Sequence, residues 1–327
     1  MELIKFWGMW PREKFVSVYI FLSHKGWILE GMIRESASAV NQKLRWNWIL
    51  ESRRDFFRNP TLINSYVHRQ SAVSVFSNHK VFLAMAEKPL IAKSKAIVLV
   101  TQLQENELEL ISKNITCFNL THRIIVQNKV VFEKLVEIGI KESLIHLFPG
   151  AIDRNLFCPS SDTEFSRDVY VLISGDFKER KNPEMIKKVI AQLPNIRFIV
   201  HGRNLEIFGN QFLASNKNVH MIPFNFLNQP KLMRNASAYL MISTLEGGPI
   251  PVLESLASGT PVVASDVGFC NEYINQNNGW LLSDPNDLME IEKALYYSIT
   301  LKSQVSKMDL LKGRFTWIEL GNLFFKA

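Results

Sequence analysis

The sequence predicts an α/β protein of two lobes, each built on a parallel sheet with helices on its faces, and a cleft between them. Three observations carry this. The chain has 327 residues, long for one core when domains run to roughly 100 to 200 residues. From Val169 onward, apolar strand-like runs alternate with helix-like ones, the pattern of successive βαβ units. Residues 148–166 hold Phe148-Pro149-Gly150, Cys158-Pro159 and Ser160-Ser161 with no period. That stretch is the expected linker between a first lobe of residues 1–150 and a second from 151.

In the first lobe the expected elements are a strand over 15–23, a turn at His24-Lys25-Gly26, a helix over 27–40, strands over 95–102 and 122–128, and a helix over 129–139. The second lobe reads more regularly. Its strands are expected over 169–174, 196–202, 218–223, 238–243 and 261–265, and its helices over 182–193, 229–236 and 250–258. Asn182 and Pro183 suit the cap and first residue of their helix, and Gly259 suits a helix stop. Sheets wound in this way bind ligands in loops beyond the carboxyl ends of their strands.

Composition narrows the class. With 47% hydrophobic and 21% charged residues, 7 Trp and 22 Phe, the chain is globular rather than disordered. Cys117, Cys158 and Cys270 are odd in number, far apart and without CxxC spacing, which argues against a disulfide framework or a zinc site and for a reducing compartment. The start, MELIKFWGMWPREKF, has no uninterrupted apolar stretch, and no window reaches the ~18 apolar residues of a spanning helix. The expectation is a cytoplasmic protein, soluble or peripheral on the inner face of the plasma membrane. The net charge of +7 lies wholly in residues 1–150, which hold 20 Lys/Arg against 13 Asp/Glu, while residues 151–327 hold 18 of each. Such asymmetry points to an anionic partner for the first lobe. Without a nucleic-acid motif, that partner is a membrane surface or a phosphate-bearing acceptor, not nucleic acid.

The chemistry concentrates in residues 239–265. There a strand runs into Glu246-Gly247-Gly248-Pro249-Ile250-Pro251, with Pro249 or Pro251 at the first helical position and Glu254 about one turn inside the helix. Two adjacent glycines let the backbone approach a ligand closely, and the amides and positive dipole of a helix starting near Ile250 favour phosphate. Both carboxylates can then accept hydrogen bonds from sugar hydroxyls in one crevice. The competing reading is a tight turn followed by an acid well placed near a helix start.

This segment resembles the family 4 glycosyltransferases, whose second lobe carries EGfGxxxxEAmAxGxPVvas; here the residues are EGGPIPVLESLASGTPVVAS. Phe148-Pro149-Gly150-Ala151-Ile152-Asp153 is similar to that family's PNGVD, SGDFKERKNP to its vGRxxxxKG phosphate segment, and RFTWIELGNLF to its closing helix, which crosses back to the first lobe. The resemblance is close over 120–327 and loose over 1–119. It implies the GT-B fold, two Rossmann-like lobes around an interdomain cleft. The domains would be 1–150 for the acceptor, 151–312 for the nucleotide sugar, and a returning helix over 313–327. It implies retaining transfer without a metal or other cofactor, from a nucleotide diphosphate sugar to a glycan or lipid-linked acceptor, most often in bacterial surface polysaccharide or lipopolysaccharide synthesis. By the same resemblance Glu246 contacts the donor sugar, Glu254 the ribose hydroxyls, Gly247 to Pro249 the pyrophosphate, and Lys181 a phosphate. Gly175, Ile250, Arg180 and Arg203 line the donor side.

Two positions depart from the pattern. Asp176 stands where the family has arginine, with Arg180, Lys178 or Arg203 as replacements, and Gln102 stands where it has a histidine. On the acceptor side His24, Lys25, Gly26 and His79 are candidates, with an ordinary surface or capping role as the alternative for both histidines. Residues 41–59 interleave Lys43, Arg45, Arg53, Arg54 and Arg58 with Trp46, Trp48, Phe56 and Phe57. That mixture suits anionic headgroups and also suits a helix packed on a core. The other functions compatible with the residues are a sugar-nucleotide epimerase of similar architecture and an inactive nucleotide-sugar-binding protein.

Overall fold

A computed structural model describes residues 17–21, 28–40, 45–50, 73–86, 95–159 and 169–325. In the first lobe β1 (Ser17–Phe21), β2 (Arg45–Leu50), β3 (Val73–Phe76), β4 (Lys95–Val100), β5 (Arg123–Val126) and β6 (Ile145–Leu147) form a parallel sheet in the order β2-β1-β3-β4-β5-β6. Its helices are α1 (Ile28–Ala39), α2 (His79–Ala86), α3 (Glu105–Lys113), α4 (Ile115–Phe118) and α5 (Lys129–Glu137). The second lobe contains β7 (Tyr170–Asp176), α6 (Pro183–Gln192), β8 (Arg197–Arg203), α7 (Asn210–Ser215), β9 (Val219–Pro223), α8 (Gln229–Asn235), β10 (Ala238–Met241), α9 (Ile250–Ala257), β11 (Val262–Ser265), α10 (Cys270–Tyr273), β12 (Gly279–Leu282) and α11 (Leu288–Val305). Its strands are parallel in the order β12-β11-β10-β7-β8-β9. The chain winds outward from β7 to β9, then returns to β7's other side and winds outward again. Winding therefore reverses between β7 and β10, where such sheets open a ligand crevice at their carboxyl ends.

Strand pleating divides the cores. In β7, Leu172 joins a cluster shared by both lobes, whereas Val171 and Ile173 face the outer helices with Met185, Ile186, Val189 and Ile190 of α6. In β4, Ile97 and Leu99 point to the shared cluster and Val98 and Val100 to Phe82, Phe118 and Leu135. This period of two, buried on both faces, is why these strands read as continuous apolar runs.

The shared cluster passes through Phe148, Ile152 and Phe315, and the Ile152 amide donates to the Phe315 carbonyl at 2.9 Å. The last helix, α12 (Trp317–Phe325), lies on the first lobe. A Cβ on Gly321 would fall 2.4 Å from the Ser36 carbonyl of α1, and the Arg123 guanidinium donates to the Asn322 and Leu323 carbonyls.

Two expectations change. Residues 45–50, within the basic and aromatic segment 41–59, form β2 alongside β1 rather than part of a helix; residues 41–44 and 51–59 lie outside the described residues. Asn182 is the cap residue of α6 and Pro183 its first residue, but with φ 55° the Asn182 side chain makes no capping hydrogen bond and donates instead to Asn286 at 3.1 Å. The left-handed backbone there turns the side chain away from the amides a cap would serve.

Candidate active site

The loops leaving β7 and β10 meet over the winding reversal. After Asp176 the chain makes one 3₁₀ turn, Glu179–Lys181, before α6. Lys181 lies across Gly175, where a Cβ would sit 3.3 Å from the lysine Cε. The Thr244 amide donates to the Arg180 carbonyl at 2.8 Å, tying the two loops together. Glu246 ends between two cations. Lys181 Nζ lies 2.5 Å from Oε1, Arg180 Nη1 lies 2.7 Å from Oε2, and Arg180 also donates to the Leu245 carbonyl at 3.1 Å. Burial alone would raise the Glu246 pKa; Lys181 and Arg180 outweigh it and hold the carboxyl below its ordinary range.

The Gly247-Gly248 turn is also the meeting point of the lobes. A Cβ on Gly247 would fall 2.0 Å from the Thr101 carbonyl and 3.1 Å from the Gln102 amide, and one on Gly248 would fall 2.7 Å from the Gln127 side chain. Asn128 caps α5 by accepting from the Val131 amide at 2.8 Å and donates to the Gly247 carbonyl at 2.8 Å. These first-lobe residues follow β4 and β5, so the carboxyl ends of both sheets face one another across the turn.

The helix amides expected to hold phosphate are largely occupied. Pro249 is the cap and Ile250 the first residue of α9, so Pro251, second in the helix, has no amide hydrogen to offer. The Ile250 amide donates to the Gly248 carbonyl at 2.9 Å and that of Val252 to Pro249 at 2.8 Å. Positive charge in the crevice therefore comes from Lys181 and Arg180, with the helix dipole behind them.

Glu254, on α9, is 8% exposed and receives the Gln229 amide at 3.3 Å. Burial raises its pKa to about 7. Tyr239 of β10 lies buried close to both Glu254 and Glu246, so the two carboxylates share one neighbourhood.

The remaining candidates separate. Arg203 at the end of β8 lies over the Phe224 ring at 5.2 Å, and Asp176 pairs with Lys178 at 3.0 Å and accepts from Asn204. Of the three proposed substitutes for the family arginine, Arg180 alone reaches Glu246. Gln102 lies in the loop after β4 beside Gly247. His79 begins α2, buried with both ring nitrogens unpartnered among the described residues, and burial lowers its pKa although Glu107 nearby opposes the shift. No described contact joins it to Glu246. His24, Lys25 and Gly26 lie outside the described residues. Sequence reasoning passed over Gln127, Asn128, Ser174, His201 and Gln229. Gln127 and Asn128 follow β5, Ser174 and His201 lie near the carboxyl ends of β7 and β8, and Gln229 begins α8; nearness to those ends was the available signal.

Comparison with known proteins agrees with this geometry. Residues 160–309 match the family model described as glycosyl transferases group 1. The O-antigen biosynthesis glycosyltransferase WbnH of Escherichia coli is 30% identical over 160 residues, 47% of this chain and 44% of that protein, so the match spans less than half of the relative's length. Among solved structures, Anabaena Alr3699/HepE in complex with UDP superposes with TM-score 0.73 at 16% identity, over 95% of this chain and 98% of that one. Sucrose-phosphate synthase from Thermosynechococcus elongatus gives 0.72 at 14%, with the same coverage. At such identities the structural likeness speaks for the fold, two Rossmann-like lobes of GT-B type. In its second lobe, where the model match and the Glu246 crevice coincide, the chain is similar to the group 1 glycosyl transferases.

Proposed function

We propose that the crevice at the winding reversal binds a nucleotide diphosphate sugar and that the chain transfers its sugar to a hydroxyl of a glycan or lipid-linked acceptor, retaining the anomeric configuration without a metal ion. The observation that carries this is the convergence of Lys181 and Arg180 on Glu246 at 2.5 and 2.7 Å. Two cations against one carboxylate leave net positive charge at the mouth of the crevice. When the bond from the sugar's anomeric carbon to phosphate breaks, its electron pair passes to the diphosphate oxygen, and fixed cations stabilise that charge as it develops. Glu246 accepts from sugar hydroxyls and Glu254, deeper in the lobe, from the ribose. The acceptor approaches from the first lobe past Gln102, on the face the diphosphate leaves; its oxygen bonds to the anomeric carbon and its proton passes to the departing diphosphate oxygen, which accounts for retention without a protein nucleophile.

The excess positive charge of residues 1–150 suits a phosphorylated or lipid-linked acceptor, and segment 41–59 suits contact with an anionic membrane from the cytoplasmic side. Similarity to an O-antigen glycosyltransferase supports a role in bacterial surface polysaccharide or lipopolysaccharide synthesis. Thermal-shift measurements with UDP, GDP and ADP sugars test the reading: one class raises the melting temperature and donates sugar to an acceptor extract, and absence of stabilisation by all of them rejects it.

A second reading, binding without turnover, is favoured by Asp176 and Gln102 at positions where the family carries arginine and histidine. Calorimetric binding with no transfer to any acceptor would establish it. Loss of transfer in Glu254→Ala with the fold intact would exclude it.

A further inference from the structure

Behind Glu254 lies a run of buried polar groups that donor chemistry alone does not require. Gln229 is 3% exposed and His201 fully buried. The Asn225 backbone amide donates to His201 Nε2 at 3.0 Å. A backbone N–H can only donate, so Nε2 carries no proton, and the imidazole is neutral with its hydrogen on Nδ1. Nδ1 lies 2.6 Å from Gln229 Oε1 and donates to it. The Ser174 hydroxyl donates to the same oxygen at 3.0 Å. Both groups facing Oε1 are donors, which fixes the flip of the Gln229 amide and turns its NH2 toward Glu254 Oε2, at 3.3 Å.

The chain of bonds thus has one direction, from the Asn225 amide through His201 and Gln229 to the carboxylate. Among the described residues no cation pairs with Glu254, so this amide is the group that orients it. Its parts come from the ends of β7 and β8, the loop after β9 and the start of α8, held by four separate elements of the lobe. Fixing a polar group from several sides costs little only when every partner is satisfied, and here each donor meets an acceptor.

We propose that Gln229, oriented by His201 and Ser174, is a positioning residue that aims the Glu254 carboxylate at the vicinal hydroxyls of the donor's ribose. This rests on the assignment of Glu254 to the ribose made above. A carboxylate accepts two adjacent hydroxyls only when its plane is set. An apolar residue at 229 frees Glu254 to rotate or to take up a proton, and in either case the second hydroxyl loses its acceptor.

The test compares binding of UDP, GDP and ADP with binding of their 2′,3′-dideoxy counterparts, by calorimetry, in the full chain and in Gln229→Met. The wild type prefers whichever ribonucleotide it binds over its dideoxy form by about 10-fold or more. In Gln229→Met the preference falls to within about twofold, while affinity for the dideoxy form is unchanged. A general loss of structure would instead weaken both ligands together. A wild type with no preference for the ribose hydroxyls overturns the assignment of Glu254. A preference that survives in Gln229→Met overturns the present inference alone. Should that variant not fold, nitrogen-15 spectra of imidazole-labelled wild type decide: His201 is the Nδ1–H tautomer, and an Nε2–H tautomer would reverse the chain and refute the proposal.

Discussion

Glu254→Gln should stabilise the unliganded protein in alkaline solution and leave it nearly unchanged in acid. Burial raises the Glu254 pKa from 4.5 to about 7. Below pH 4.5 the group is protonated in both folded and unfolded chains and contributes no difference. Between 4.5 and 7 the folded state keeps a proton that the unfolded state releases, so stability falls as pH rises through this window. Above 7 the penalty is complete, and 7 − 4.5 = 2.5 pH units correspond to about 3 kcal/mol. Glutamine removes the charge yet keeps an oxygen to accept from Gln229, so the difference between variant and wild type isolates the ionisation. Urea unfolding of both proteins from pH 5 to 8 measures it. The gain is below about 1 kcal/mol at pH 5 and approaches ~3 kcal/mol at pH 8, a rise in melting temperature of roughly 6–12 °C. A difference independent of pH, or a variant less stable at pH 8, would refute the argument. The same substitution weakens nucleotide binding, as expected if the crevice retains a buried carboxylate for function at the expense of stability.

Two further outcomes follow from the geometry. Lys181→Met leaves the buried Glu246 with Arg180 as its remaining cation; transfer drops about 100-fold or more and urea unfolding at pH 8 shows a loss of about 2–3 kcal/mol. The Glu246 carboxyl, held below its ordinary range, contributes stability above pH 4.5 that is lost as pH falls through its folded value, and that acid-side loss is smaller in the variant; an unchanged transfer rate would remove Lys181 from the mechanism. Gly247→Ala brings a Cβ within 2.0 Å of the Thr101 carbonyl, a backbone atom that cannot swing aside, so the lobes part. Small-angle scattering then shows a larger radius of gyration and transfer falls about 100-fold, whereas wild-type dimensions and rate would show that the contact is dispensable.

The second lobe was legible because its strands are buried on both faces and separated by amphipathic helices. Val171, Leu172 and Ile173 announce a strand whichever sheet they join, and the period of α6 stands out beside them. The first lobe hid β3 and β6, four and three residues long, too short to establish any period. The residues 45–50 hid β2 because aromatic and basic side chains fit a membrane-facing helix and a strand at the end of a sheet equally well. At the site, Glu246 and Lys181 were readable because each stands in a local pattern of turn and helix start. Gln229 and His201 were not. They lie 25 and 53 residues before Glu254 in the chain, and the winding of β7 to β10 is what brings them beneath it.

The glycines show a subtler limit. Adjacent glycines signal that something must approach the backbone closely, and the sequence could not say what. In the structure the approaching groups at Gly247 and Gly248 are Thr101, Gln127 and Asn128 of the first lobe. The turn that carries Glu246 is therefore also a contact between the two lobes. Glu246, paired with Lys181 and Arg180, and the Gly247 carbonyl, held by Asn128, thus stand next to one another in the same turn. These small residues let the first lobe approach the backbone of the turn, and for that reason a single side-chain atom added there tests the contact.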